Sequence, residues 1–284
     1  MEKTVFTVSI AGIGIRFEFP FQTEVPQELR PFLADGIETP VTYRAELHRQ
    51  LRPWGEPVLD TPRQKVFRTA EGWLRMYNSG AAVLLTPEGS HRLLLTPENA
   101  EHYRTTYTIT PLLGAEYVLA RQGRLLLHSS AVSYRDVAIL FSGPSGIGKS
   151  TQAQLWQQYA GAEVVNGDRC VISQREGSFC VDGSPFCGSS GIRRQLSVPI
   201  GALVFLEQGE ENSLQPVSCL DAYRRLYSQI IANPWDSDYT GRVCAMIEAV
   251  IRRVPMYLYR CRPDASAVEA LKEEFTNRQI ILKE

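Results

Sequence analysis

The 284-residue sequence predicts an α/β domain preceded by a smaller, mainly β domain, and three observations carry that prediction. A phosphate-binding loop of the form G-x-x-x-x-G-K-[ST] runs from Gly143 to Ser150, with an apolar run before it and a helical pattern after it. The first hundred residues instead alternate apolar and polar in short runs broken by prolines. Around Thr105 that texture gives way to helical spacing. The expected boundary is therefore 1–104 for the mainly β part and 105–284 for the α/β part.

Taken in order, Val5 to Phe19 alternates on either side of Gly12 to Gly14, which predicts two strands or one bulged hairpin. Gly12-Ile13-Gly14 lacks the third glycine and the following helix of a dinucleotide loop, so it reads as a turn. Prolines from Pro20 to Pro62 punctuate the next stretch. Strands are then expected at Val66–Arg68, Trp73–Tyr77, Ala81–Leu85 and Arg92–Leu95. The charged and aromatic residues of this half, Trp54, Trp73, Tyr77 and His91 among them, form no constellation that points to chemistry. Helical spacing follows Pro111 and stops at Gly123, and strands are expected at Arg124–Val132 and Asp136–Ser142. Beyond the phosphate loop the pattern predicts a helix over Thr151–Tyr159 with Leu155 and Trp156 inward. Strands at Ala162–Val165, Val171–Ser173, Phe179–Asp182, Ala202–Glu207 and Met256–Arg260, and helices at Cys219–Ile231, Tyr239–Val254 and Ala265–Phe275, complete the reading. Asn233-Pro234-Trp235-Asp236 separates two of those helices as a stop.

Thirty basic against thirty-one acidic side chains leave a net charge of −1, so nothing in the charge points to a nucleic acid or to an anionic membrane as partner. The six cysteines all fall in the second half, with no C-x-x-C pair and no histidine at zinc-ligand spacing. They read as reduced, mostly buried thiols of a cytoplasmic protein. The start has no basic stretch followed by an apolar one, and no apolar run approaches the ~18 residues that a membrane span requires.

The chemistry concentrates in the second half. Gly143, Pro144, Ser145, Gly146, Ile147 and Gly148 can turn their backbone N–H groups inward around a phosphate, while Lys149 reaches the β and γ phosphates. The Ser150 hydroxyl can ligate Mg²⁺, and Thr151 opens the helix whose N-terminus faces the anion. These residues are the expected ATP site. A second metal-holding acid is expected at the end of a following strand, and Asp168 after the apolar Val164-Val165 is the candidate. Asn166-Gly167-Asp168 is equally a good turn sequence. His128 lies in an apolar strand that should run beside the loop's own strand, where an imidazole can take a proton or orient an attacking group. A strand histidine is also often only structural.

The run Leu125-Leu126-Leu127-His128-Ser129-Ser130-Ala131-Val132, the loop, and Ala162 to Asp168 together resemble the catalytic domain of the HPr kinase/phosphorylase family. Those proteins resemble phosphoenolpyruvate carboxykinase in their nucleotide-binding core. The resemblance spans roughly Leu112 to Phe275. It implies a P-loop kinase fold that uses ATP and Mg²⁺ to phosphorylate a hydroxyl, on a small molecule or on a peptide or protein serine. It also implies that His128 lies near the transferred phosphate, that Lys149 and Ser150 bind phosphate and Mg²⁺, and that Asp168 is the second of a pair of aspartates. The family's first aspartate, often assigned as the base, is Gly167 here, with Asn166 before it. His128 is then the substitute candidate. In relatives, a loop at the place of Gly183 to Arg194 approaches the phosphates. Ser189, Ser190, Gly188 and Gly191 are expected to cradle an anion there, with Arg193 or Arg194 neutralising charge, although a surface turn with a solvated arginine pair explains the same residues. Two other readings stay open: a nucleotide-binding regulator without efficient transfer, and a nucleotide hydrolase. The β domain either recruits a protein substrate or stabilises a homo-oligomer.

Overall fold

The structure, a computed structural model, describes residues 3–77, 80–102, 113–188, 191–230 and 233–281. Contacts divide the chain into two compact units, Met1–Val118 and Leu119–Glu284. Thr105 and Pro111, which mark the boundary and helix start expected from sequence, lie outside the described residues.

The first unit is built on one eight-stranded sheet in the order β1-β2-β3-β8-β7-β6-β5-β4. Its strands are β1 (Thr4–Ile10), β2 (Ile13–Phe19), β3 (Val41–Leu47), β4 (Leu59–Asp60), β5 (Gln64–Arg68), β6 (Trp73–Tyr77), β7 (Ala81–Leu85) and β8 (Ser90–Leu95). Strands β1 and β2 pair without a bulge, from Thr4 opposite Phe19 to Ile10 opposite Ile13. Ala11 and Gly12 between them both have positive φ, 52° and 76°, as a two-residue hairpin turn requires. Strand β3, not anticipated from sequence, joins β2 to β8 by parallel pairing on both sides. Phe6, Phe17 and Tyr43 stack along the buried face, with ring centroids 5.0 and 5.3 Å apart in successive pairs. A short helix, α1 (Pro97–His102), follows β8.

Helix α2 (Ala115–Arg121) leads to the strands of the second unit: β9 (Leu125–Tyr134), β10 (Val137–Ser142), β11 (Glu163–Asn166), β12 (Arg169–Arg175), β13 (Ser178–Asp182), β14 (Ser197–Gln208), β15 (Ser213–Pro216) and β16 (Met256–Cys261). The chain is thus mixed α/β with two large sheets. Strand β9 divides its pairing. Leu125 to His128 bond to β12, whereas Ser129 to Tyr134 bond to β10. Strand β14 divides in the same way, to β13 through Ser197–Pro199 and to β10 and β16 beyond it. Because β10 also pairs with β14, the strands β10-β9-β12-β13-β14 close on themselves. The change of partner in β9 falls at His128 and Ser129, level with Ser142 at the end of β10, where the loop of Gly143 to Gly148 begins.

Four further helices pack around this sheet: α3 (Lys149–Ala160), α4 (Cys219–Ser228), α5 (Ser237–Ile251) and α6 (Ala265–Asn277). Ala153 and Trp156 of α3 and Val268, Leu271 and Phe275 of α6 share a core with Val132, Ile139, Phe141 and Val204. Trp156 is fully buried and meets Tyr134 edge-on at 5.4 Å, which anchors α3 against the hairpin of β9 and β10. Leu155, expected to point inward with it, is only half-buried at the rim of that core. The stop between α4 and α5 works through Asp236, whose carboxylate accepts from Tyr239 N at 3.1 Å and caps α5. Cys170, Cys180, Cys187 and Cys261 are buried, and none of the six cysteines is disulfide-bonded. Among the described residues no helix is long and apolar enough to cross a membrane.

Candidate functional site

The loop between β10 and α3 takes positive φ at Gly143 (149°), Gly146 (80°) and Gly148 (111°). Gly148 is the N-cap of α3, in the left-handed region, and brings no side chain to the first-turn N–H groups. Those donors are therefore left without a side-chain cap. The Lys149 ammonium lies inside the loop and donates to Gly143 O at 2.8 Å and to Pro144 O at 3.0 Å. Burial pulls its pKa below the ordinary lysine value, and the nearby Asp168 carboxylate opposes that shift. An anion in the loop would take over from the two carbonyls and relieve the same penalty.

Three chain segments converge on this lysine. Ser130 Oγ on β9 donates to Lys149 O at 2.7 Å, tying the strand to the first turn of α3. Ser150 Oγ donates to Gly167 O at 3.0 Å, which places the hydroxyl at the turn leading to Asp168. On the far side of that turn, Asp168 Oδ1 lies 3.3 Å from His128 Nε2, and Asp168 Oδ2 lies 3.4 Å from Arg169 Nε. The hydrogen bond from His128, followed by the charges of His128 and Arg169, lowers the Asp168 pKa against the effect of burial. Asp168 is therefore a carboxylate at neutral pH.

The two readings of Asn166-Gly167-Asp168 turn out to be compatible. Asn166 is fully buried, and its Oδ1 accepts from both Asp168 N and Arg169 N at 2.9 Å, which makes an Asx-type turn. Its Nδ2 donates to Ser184 O at 3.0 Å. The turn is what presents the Asp168 carboxylate. The β9–β12 register then sets Arg169 opposite His128, and Ser129 N donates to Asp168 O at 3.0 Å.

The downstream loop divides. Gly188 packs so closely on Asp168 that a Cβ there would lie 2.7 Å from Asp168 Cγ. Arg193 is bridged to Asn166 through the backbone, and its Nη1 donates to Cys187 Sγ at 3.2 Å. Arg194 instead pairs with Glu163 Oε1 at 2.6 Å, with both side chains about half exposed. Ser189 and Ser190 lie outside the described residues. The residues that sequence reasoning left out are Arg169 and the buried Ser130 and Ser142. Ser142 Oγ donates to His128 O at 3.2 Å. Polar residues in the interior of strands that are otherwise apolar were the available signal for Ser130.

No protein-family model matches this chain, and neither does any curated protein. Among solved structures, the chain is similar to the Hpr(Ser) kinase/phosphatase from Coxiella burnetii at 12% identity and a TM-score of 0.33, over 54% of this chain and 97% of that one. A likeness of that degree makes the enzyme a distant neighbour and bears on neither activity nor substrate.

Proposed function

We propose that residues 119–284 form an ATP-dependent phosphotransferase of the P-loop kinase type, resembling HPr kinase, that moves the γ-phosphoryl group to the hydroxyl of a small molecule or of a peptide or protein serine. The observation that supports this best is the convergence of Lys149, Ser150, Asp168 and His128, held together by the Ser130–Lys149, Ser150–Gly167 and Asp168–His128 contacts. The residues fit Mg²⁺. Ser150 Oγ and the Asp168 carboxylate are hard oxygen donors on either side of Gly167, and Mg²⁺ typically takes one or two protein oxygens and leaves the rest to water and phosphate. Among the described residues, no cluster of three His, Cys, Asp or Glu side chains could hold a metal. When bound, Mg²⁺ would supply positive charge against the β and γ phosphates.

The chain's own groups would do the rest. The loop amides and Lys149 hold the phosphates, with the ammonium leaving Gly143 O and Pro144 O for them. Asp168 fixes His128 through Nε2, so that Nδ1 is the nitrogen free to receive the acceptor's hydroxyl proton. The acceptor oxygen then bonds to the γ-phosphorus, the bond to the β,γ-bridging oxygen breaks, and its electron pair leaves with ADP.

Titration calorimetry with MgATP tests the nucleotide site. Lys149→Ala is expected to weaken binding about 10- to 100-fold, the worth of a charge-assisted bond to phosphate. Equal affinities in the variant and the parent would remove the loop as the site. Labelled ATP separates the functional readings: phosphate on an acceptor indicates a kinase, free phosphate alone a hydrolase, and binding without either a regulator.

A further inference from the structure

Beside His128, where the end of α4 meets β9, lies a small cleft that the nucleotide reading does not use. Its volume is about 200 Å³, and it is lined by Leu126, His128, Arg169, Ser228, Gln229 and Ile230. The cleft is a product of topology. The first half of β9 has β12 on one edge, and on its other edge the end of α4 closes in, with His128 N donating to Gln229 O at 3.0 Å and Leu127 bridged to Ile230. The side chains that line it are apolar at Leu126 and Ile230, neutral and polar at Ser228 and Gln229, and cationic at Arg169, with no carboxylate among them.

Arg169 is the informative residue. Only its Nε reaches Asp168, at 3.4 Å, and its terminal nitrogens have no partner among the described residues. The side chain is 37% exposed. Asp168 is already engaged by His128, so the fork of the guanidinium presents an anion-binding edge to a cleft that supplies no anion of its own. The size narrows the ligand, since the volume falls below the roughly 300–1,000 Å³ of pockets for drug-sized molecules.

We propose that this cleft is the acceptor site and that it takes a small hydroxy acid, whose carboxylate is held by Arg169 and whose hydroxyl is presented to His128. This rests on the phosphotransferase reading above and narrows its acceptor from any hydroxyl to an anionic small molecule. Leu126 and Ile230 cover the carbon skeleton, and the Gln229 amide and Ser228 hydroxyl are the polar groups at hand for a further substituent.

The test uses the full chain with labelled ATP and Mg²⁺ and matched acceptor pairs: glycerate against glycerol, lactate against propane-1,2-diol, and a capped serine peptide. Transfer is expected to at least one hydroxy acid, at least tenfold more efficiently than to its neutral partner. Arg169→Ala should raise KM for that acid about 10- to 100-fold while changing KM for the neutral partner less than threefold, and Arg169→Lys should recover part of the loss. A purely structural role for Arg169 would move both acceptors alike. The inference is overturned by equal use of acid and neutral alcohol, by transfer to the peptide alone, or by no transfer to any acceptor while MgATP binding by calorimetry is intact. That last result leaves the nucleotide site standing. Loss of MgATP binding in the parent protein sinks the phosphotransferase reading itself.

Discussion

Each unit sets a nitrogen side chain against a carboxylate, and the two pairs are built differently. In the first unit Arg75 Nη1 meets Glu116 Oε1 at 2.5 Å, with both side chains only 7% exposed. Gln64 Oε1 accepts from the same guanidinium at 3.2 and 3.3 Å, and burial pushes the neighbouring Tyr77 hydroxyl up to about 12. In the second unit His128 and Asp168 stand 3.3 Å apart with about a third of each side chain exposed. The closed pair is shut away from solvent and shares its guanidinium with Gln64. The open pair holds a part-exposed carboxylate near Lys149, next to the Gly167 carbonyl that Ser150 binds. Burial with complete pairing marks structure, whereas partial exposure beside other functional groups marks chemistry.

The widest separation between the pairs should appear in turnover. His128→Ala is expected to retain MgATP affinity and to lose about 10²- to 10⁴-fold in phosphoryl transfer, or in slow ATP hydrolysis, as removal of a general base does. Asp168→Asn should lose affinity as well, because it removes both the proposed metal oxygen and the anchor of the imidazole. A His128→Ala protein that turns over like the parent would erase the distinction drawn here. The same carboxylate has a pH signature. Its pKa is lowered in the folded chain, so its pairing adds stability above the ordinary aspartate value of about 4 and loses it as pH falls through the lower folded value. Asp168→Asn should therefore flatten the acid limb of a stability-against-pH curve.

For the closed pair the expectation reverses. Glu116→Gln leaves Arg75 buried without its counter-charge and is expected to cost about 3–5 kcal/mol of stability. MgATP affinity, measured by calorimetry well below the melting temperature, should stay within twofold of the parent. A matching loss of affinity would show that the first pair also serves the nucleotide site.

The loop from Gly143 to Ser150 was legible because the groups proposed for phosphate and metal are contiguous there, within eight residues. Strands β5 to β10 were legible for a related reason, since each is an apolar or alternating run long enough to show its period. Strands β4 and β15, two and four residues long, were not, because their residues are mostly exposed and their place comes from the partner strand. Val41–Leu47 carries an alternating pattern, but the prolines around it mask the signal. The cleft proposed for the acceptor was hidden for a different reason. Arg169 meets His128 only through the β9–β12 register, and Gln229 reaches the cleft from a helix end about a hundred residues further on. Pairings of that range leave no local trace in a single sequence.

A smaller effect is expected at Gly188, where tight packing rather than charge supports the open pair. Its φ is +51°, and an added Cβ would sit 2.7 Å from Asp168 Cγ and 3.0 Å from Oδ2. Gly188→Ala should cost about 1–2 kcal/mol through the backbone alone, and it should also lower turnover by displacing the carboxylate, by up to about 10²-fold. Gly177→Ala is the control. It shares a positive φ of 84° but meets nothing within 4 Å. Equal kinetic effects in the two variants would mean that Asp168 does not depend on Gly188 for its position.

The smallest effect separates two adjacent arginines. Arg193 lies against the turn that presents Asp168, bridged to Asn166 and bonded to Cys187 Sγ, whereas Arg194 reaches outward to Glu163 with 47% of its side chain exposed. Exposed pairs of this kind contribute about 0–1 kcal/mol because solvent screens the attraction and two long side chains lose freedom in making it. Arg194→Ala should therefore change stability by no more than about 0.5 kcal/mol and turnover by less than about twofold. Arg193→Ala should lower turnover more, through the Asn166 turn or through charge at the phosphates, and a comparison of kcat for the two variants at saturating MgATP reads the difference. If Arg194→Ala instead loses tenfold or more in kcat, the guanidinium must leave Glu163 when nucleotide binds. Arg194, and not Arg193, would then be the residue that neutralises the transferring group.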